Sequence, residues 1–189
     1  MSRIALTAER AADCLRQGRV IAYPTEAVWG LGCDPFNAAA VQRLLDVKQR
    51  PAAKGMIVIA ADVAQALPHL HWDELSGARR DEILASWPGP NTWLIPCRAH
   101  VPEWLRGEHD TLAVRVTGHA VASSLCRAFG GVVVSTSANR SGEAPARVIT
   151  DLPEDVLAQL DGWIDGATDG RAQPSTIRDA RSGAVVRPG

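Results

Sequence analysis

Lysine is the scarcest charge in this 189-residue chain: of 20 basic residues only Lys48 and Lys54 are lysines, and the other eighteen are arginines. Cysteine is sparse as well. Cys14, Cys33, Cys97 and Cys126 stand apart with no C-x-x-C pair, a pattern that points to free thiols in a reducing cytoplasm. No apolar run approaches the ~20 residues of a membrane span, and the first ten residues carry charge without an apolar signal core. No membrane partner is therefore expected. A net charge of −1 leaves no polybasic footprint for nucleic acid. One Tyr and two Phe offer no aromatic platform on which bases could stack. The five histidines fall at no metal-ligand spacing, so no metal site is expected. A Walker phosphate loop and a G-x-S-x-G nucleophile elbow are missing, and Gly30-Leu-Gly32 lacks the third glycine of a dinucleotide fingerprint.

What is present has the length for one well-cored domain, residues 1–189, with 46% hydrophobic residues. Thr7 can cap a helix that runs to Leu15 and stops at Gly18. A buried strand is predicted over residues 19–23, followed by a loop over residues 24–34. Asn37 can cap a helix over residues 38–48, whose Val41, Leu44, Leu45 and Lys48 share one face. Further strands are predicted over residues 56–60, 111–116 and 132–134 and from Thr92, with helices over residues 62–67, 73–86, 118–129 and 154–160. Two short strands around Ser182-Gly183 close the chain. This order predicts a single α/β domain with one twisted mixed sheet and flanking helices.

Three stretches carry chemistry. Residues 132–142, Val-Val-Val-Ser-Thr-Ser-Ala-Asn-Arg-Ser-Gly, run a β-branched strand into hydroxyl and amide side chains. Donors at the carboxyl end of a strand suit an anionic ligand; a Ser-rich turn that satisfies only its own backbone is the competing reading. Both lysines fall within seven residues, with Arg50 between them. Lys48 ends an apolar stripe and so points inward, either to an anion or simply as a cation on the helix dipole. Arg115 lies inside an apolar strand, where a charge needs a partner: a ligand phosphate or carboxylate, or an internal Asp or Glu. Ser135 or Ser137 would become a nucleophile only if His109 or His119 reached it. The remaining polar groups at predicted strand ends, Thr25, Thr92, Asn139, Ser175 and Arg187, complete a set rich in anion binders with no obvious base. Such a site works by positioning and electrostatic stabilisation.

Seven motifs then stand in order: Tyr23-Pro-Thr-Glu-Ala-Val-Trp-Gly-Leu-Gly-Cys-Asp34, Lys48-x-Arg50-Pro51, Pro88-Gly-Pro-x-Thr92, Leu112-Ala-Val-Arg115, Ser135-Thr-Ser-Ala-Asn139-x-Ser-Gly142, Pro174-Ser-Thr-Ile-x-Asp179 and Arg187-Pro-Gly189. Together they closely resemble the YrdC-like threonylcarbamoyl-AMP synthases in their short, single-domain bacterial form. Trp29 departs from the usual Tyr. The resemblance implies a YrdC-like fold around a positively charged cavity. It also implies a nucleotidyltransferase reaction, in which L-threonine, bicarbonate and ATP give threonylcarbamoyl-AMP and pyrophosphate. The product would pass to tRNA threonylcarbamoyl-transfer proteins that modify the adenosine beside the anticodon. By the same resemblance, Lys48 and Arg50 are catalytic and hold ATP phosphates, with Thr92, Ser137, Asn139, Arg187 and Lys54 also on the nucleotide side. Thr25, Arg115 and Ser175 would face threonine, and Mg²⁺ would arrive with ATP. Two other readings compete: a weak tRNA or double-stranded RNA binder, and a carbamoyl-processing hydrolase. The latter would need zinc-finger and acylphosphatase-like regions for which this chain is too short.

Overall fold

Asn37 begins the helix that matters most to the site. Its side chain accepts the Ala40 N–H at 3.1 Å and so satisfies one of the unpaired donors of a helix start. After the first helix, α1 (Ala8–Arg16), the second, α2 (Ala38–Lys48), then runs as the sequence predicts. Val41, Leu44, Leu45 and Lys48 are all buried on one face. Gln49 ends α2 in the left-handed conformation, at φ 51°, and its turn separates the directions of Lys48 and Arg50. The computed structural model describes residues 5–50, 55–140 and 142–189. Lys54 and Ser141, both named above, lie outside those residues.

The strands fall into two sheets rather than the single sheet expected. In the smaller, β1 (Ile21–Pro24) pairs antiparallel with β2 (Trp29–Gly32). The predicted loop over residues 24–34 is thus mostly a tight hairpin. Glycine makes it possible: a Cβ on Gly32 would stand 2.7 Å from both the Tyr23 ring and the Val134 carbonyl. Gly32→Ala should therefore destabilise the protein by about 1–3 kcal/mol through overpacking, and denaturant titration of the two proteins checks this.

The larger sheet collects β3 (Ile57–Ala60), β4 (Asn91–Pro96), β5 (Thr111–Val116) and β6 (Val133–Val134). β7 (Thr136–Ser137) and β8 (Gly162–Trp163) return to the smaller sheet, in the order β7-β2-β1-β8. The terminal hairpin of β9 (Thr176–Asp179) and β10 (Val185–Arg187) then edges the larger sheet, ordered β10-β9-β4-β5-β3-β6. Both sheets mix parallel and antiparallel pairs.

Short helices α3 (Val63–Ala66) and α5 (Glu103–Arg106) and the longer α4 (Gly77–Ala85) lie between these strands. α4 starts later than predicted, because Ser76 caps it and a separate 3-10 turn occupies residues 72–74. α6 (Ala120–Phe129) likewise begins after His119, its cap, and α7 (Glu154–Gln159) follows the serine-rich loop. α1 and α6 bury Ala11, Leu15, Ala122 and Leu125 with Ile59 and Val133. A second core joins α2 to Trp29, Trp93, Ile95 and Val114.

One feature of this topology positions the site. The chain leaves the larger sheet at Val134 and enters the smaller one at Thr136, so Ser135 is where it changes sheets. A run that reads in sequence as one strand is split, and the Ser/Asn loop opens between the two sheets.

Candidate functional site

A cavity of about 530 Å³ lies between the sheets, within the range of small-molecule sites. The smaller sheet contributes Thr25, Trp29 and Ser137 to its wall, and the larger contributes Arg115, Ile177 and Arg187. Arg50, Asn139 and Ser175 line it from the connecting segments. The structure thus brings together most of the residues singled out from sequence, from segments far apart along the chain.

Two of them stand behind the wall. Thr92 is fully buried and does not line the cavity, as its position in the sheet interior requires. Its hydroxyl pairs with Ser175 Oγ at 2.8 Å, so it acts on the cavity through Ser175. Lys48 is 3% exposed and is also absent from the lining. Its Nζ donates to the Ser137 carbonyl and, at 2.7 Å, to the Asn139 carbonyl. The lysine therefore ties the end of α2 to the two residues of the Ser/Asn loop. Burial foremost, and the nearby Arg50 charge next, depress its ammonium to about 8. Lys48 points inward as the apolar stripe predicts, and the partners of its Nζ are backbone oxygens.

Beside it the cations are crowded. Arg50 Nη2 donates to the Gly55 carbonyl at 2.8 Å. Burial and then the Arg187 charge pull its guanidinium below the ordinary arginine value, so the two arginines repel one another. Arg187 is itself lowered by burial, and its Nη2 donates to the Ser175 carbonyl at 3.1 Å. Paired like charges with little local compensation form a place for an anion.

Few buried polar atoms in a folded protein lack a partner. Among the described residues those that do are Trp29 Nε1, Arg50 Nε, Asn139 Oδ1 and Arg140 Nε. The first three belong to residues lining this one cavity. Asn139 spends its Nδ2 on the Arg140 and Glu143 carbonyls, at 3.0 and 2.7 Å, which leaves the oxygen without a donor.

Hydroxyl geometry also constrains what the wall can do. Thr25 Oγ1 donates to the Val28 carbonyl at 2.6 Å, so towards a ligand it presents only lone pairs. Among the described residues neither His109 nor His119 is hydrogen-bonded to Ser135 or Ser137: His119 Nδ1 accepts the Ala122 N–H as the cap of α6, and its Nε2 meets the Ala167 carbonyl at 3.0 Å.

Several lining residues were not singled out as site residues from the sequence. Arg106, Arg147 and Arg171 add guanidinium groups to the wall; in a chain with eighteen arginines nothing in their local sequence sets them apart. Glu26 is the carboxylate of the lining, buried and ion-paired to Arg115. Burial by itself would raise it, yet the Arg115 charge and hydrogen bond outweigh that and hold it below the usual glutamate range. It answers the sequence-level question of what a buried arginine pairs with.

A family model named for Sua5, YciO and YrdC, with the description telomere recombination, matches residues 13–189. The threonylcarbamoyl-AMP synthase of Xanthomonas euvesicatoria is 54% identical over 182 residues, covering 96% of this chain and 97% of that one. Among solved structures, P. abyssi Sua5 complexed with L-threonine superposes with a TM-score of 0.82 at 32% identity, over 91% of this chain and 50% of that protein. This chain therefore spans about half of that larger relative. E. coli YciO shares the fold, with a TM-score of 0.83 at 24% identity over 96% of this chain and 88% of that one.

Proposed function

The chain belongs to the Sua5/YciO/YrdC family, and from that premise and the cavity between its sheets we infer that it makes threonylcarbamoyl-AMP from L-threonine, bicarbonate and ATP. It is an enzyme of the nucleotidyltransferase type. Its relatives of matching length carry that synthase activity in their name, and the larger relative is seen with L-threonine. The observation that carries the reading in this chain is the gathering in one cavity of the guanidinium groups of Arg50, Arg115 and Arg187 with the hydroxyl and amide side chains of Thr25, Ser137, Asn139 and Ser175. Arg50 and Arg187 feel one another's charge, and Arg115 adds a third cation for an anionic substrate group.

The reaction sequence follows from these groups. The threonine amine, as the free base, attacks the bicarbonate carbon, and loss of water leaves a carbamate. A carbamate oxygen then attacks the α-phosphorus of ATP, and the bond to the β-phosphate breaks as pyrophosphate leaves with the electron pair. Both partners of the second step are anions, so the need is for cations that offset their repulsion and hold them in line. Arg50 and Arg187 supply that charge for the triphosphate. Lys48 acts from behind the wall: it holds the carbonyls of Ser137 and Asn139 and so fixes the loop on which the adenylate lies. Arg115 takes the threonine carboxylate, Thr25 accepts from the threonine hydroxyl or amine, and Ser175, steadied by Thr92, completes that end. No enzyme nucleophile is required.

A Mg²⁺ ion would enter as part of the ATP substrate, held by phosphate oxygens. The product passes to downstream threonylcarbamoyl-transfer proteins acting on tRNA in the cytoplasm, and any tRNA or double-stranded RNA contact of this chain is weak and secondary.

Pyrophosphate release measured with each substrate omitted in turn tests the assignment. Release should need ATP, threonine and bicarbonate together. Release that continues at full rate without threonine would sink it.

A further inference from the structure

Glu26 lies on the turn between β1 and β2 of the smaller sheet, yet its carboxylate is occupied entirely by groups around the end of β5 in the larger one. Oε2 accepts from Arg115 Nη1. Oε1 accepts from Thr117 Oγ1 at 2.9 Å and from the Gly118 N–H at 3.1 Å. Its backbone carbonyl accepts the Arg171 N–H at 3.2 Å, which brings a further lining segment against the same residue. With 7% of its surface exposed and both oxygens engaged, this carboxylate is poorly placed to bind a ligand or take up a proton.

Arg115 is held by one nitrogen only. Its other nitrogens have no acceptor among the described residues and are not among the buried unpaired atoms, and the residue lines the cavity. They open on the cavity. A guanidinium gripped on one side and free on the other is preorganised for a carboxylate, because little rotamer entropy is left to lose on binding.

We propose that Glu26 is a positioning residue for the amino-acid substrate: bridging the two sheets, it aims the free edge of Arg115 at the threonine carboxylate. The proposal rests on the reading of Arg115 as the threonine-binding arginine. A purely architectural ion pair, which would stabilise the fold and leave substrate recognition alone, is the alternative it must exclude.

Glu26→Gln provides the test. An amide has a single acceptor oxygen, so its NH₂ must face either Arg115 or the Thr117 and Gly118 donors, and Arg115 loses its fixed orientation. The Michaelis constant for threonine should rise about tenfold or more, while that for ATP stays within about twofold. Combined with Arg115→Lys, the second substitution should add nothing to the first, since both act through one guanidinium. Should Glu26→Gln not fold, Thr117→Val removes one donor from the same carboxylate, and Glu26→Asp shortens its reach. Both should raise the threonine constant selectively and by less. Parallel changes in both Michaelis constants alongside a lowered melting temperature, or additive effects in the double variant, would overturn the proposal in favour of the architectural pair. A normal threonine constant in Arg115→Lys alone would remove the reading on which it rests, and the proposal with it. If Arg115→Lys raises that constant and Glu26→Gln does not, the threonine reading survives and the positioning role fails.

Discussion

Replacing Arg50 with alanine should lower kcat/KM for ATP by about 10- to 150-fold, the equivalent of a lost charge-assisted contact of ~1.5–3 kcal/mol. The expectation comes from what Arg50 does without substrate. It spends one nitrogen on the Gly55 carbonyl, has a buried Nε with no partner among the described residues, and is pushed below its ordinary pKa by burial and by Arg187. Arg50 thus carries a donor without a partner among the described residues and a like-charge neighbour. A triphosphate relieves both at once, and the relief is greatest when charge builds on the leaving pyrophosphate. Arg50→Lys should recover only part of the loss, because an ammonium keeps the charge but not the planar fork. The threonine constant should move little in either variant. Steady-state kinetics with ATP varied at saturating threonine and bicarbonate checks this. Values within twofold of the parent for Arg50→Ala would mean that Arg50 is only a lid on the end of α2.

How much of this could be read from the chain depends on how local the deciding interaction is. α2 was legible from cap to last residue, because Asn37, the apolar stripe and the break after Lys48 are all short-range signals. The same holds for β5, read from the largely apolar run with Thr111, Val114 and Val116 over residues 111–116. The hairpin strand β2 was not legible. Two of its residues are glycines, which lower strand propensity, and its pairing is justified only by the close approach of Tyr23 and Val134 to Gly32. The division into two sheets was hidden for a related reason: nothing in Val-Val-Val-Ser-Thr-Ser marks Ser135 as the point where the chain changes partners. In the sequence Arg115 needs a counter-charge, but the one it has, Glu26, lies 89 residues away and only three-dimensional placement joins them. Lys48 was read as inward-facing and is so; Thr92 was expected on the cavity wall and stands behind it. Their partners here are a serine hydroxyl and backbone carbonyls, and backbone acceptors leave no mark in a sequence.

Those carbonyls make Lys48 the source of the most distinctive pH behaviour expected of this protein. With its ammonium depressed to about 8 by burial and by Arg50, kcat/KM for ATP should fall as pH rises through about 8, because a neutral amine no longer offsets the charge of the incoming triphosphate. The same residue should affect stability in the opposite sense. Its folded-state value lies below the 10.5 of a free lysine, so between about 8 and 10.5 the unfolded chain binds the proton and the folded one does not. The penalty of burying the charge is complete below about 8 and relieved as pH rises across that window, so this residue's contribution to stability increases there. Activity lost where the Lys48 contribution to stability is gained separates this titration from simple alkaline unfolding. Lys48→Met should abolish both trends. It should also cost about 2–4 kcal/mol of stability, since two inward-facing carbonyls lose their donor, and depress turnover tenfold or more as the Ser137–Asn139 loop loosens. The measurements are pH profiles of kcat/KM and of denaturant stability, for parent and variant, between pH 6.5 and about 10. An alkaline limb that persists unchanged in Lys48→Met would assign it to another group and remove Lys48 from the electrostatics of the site.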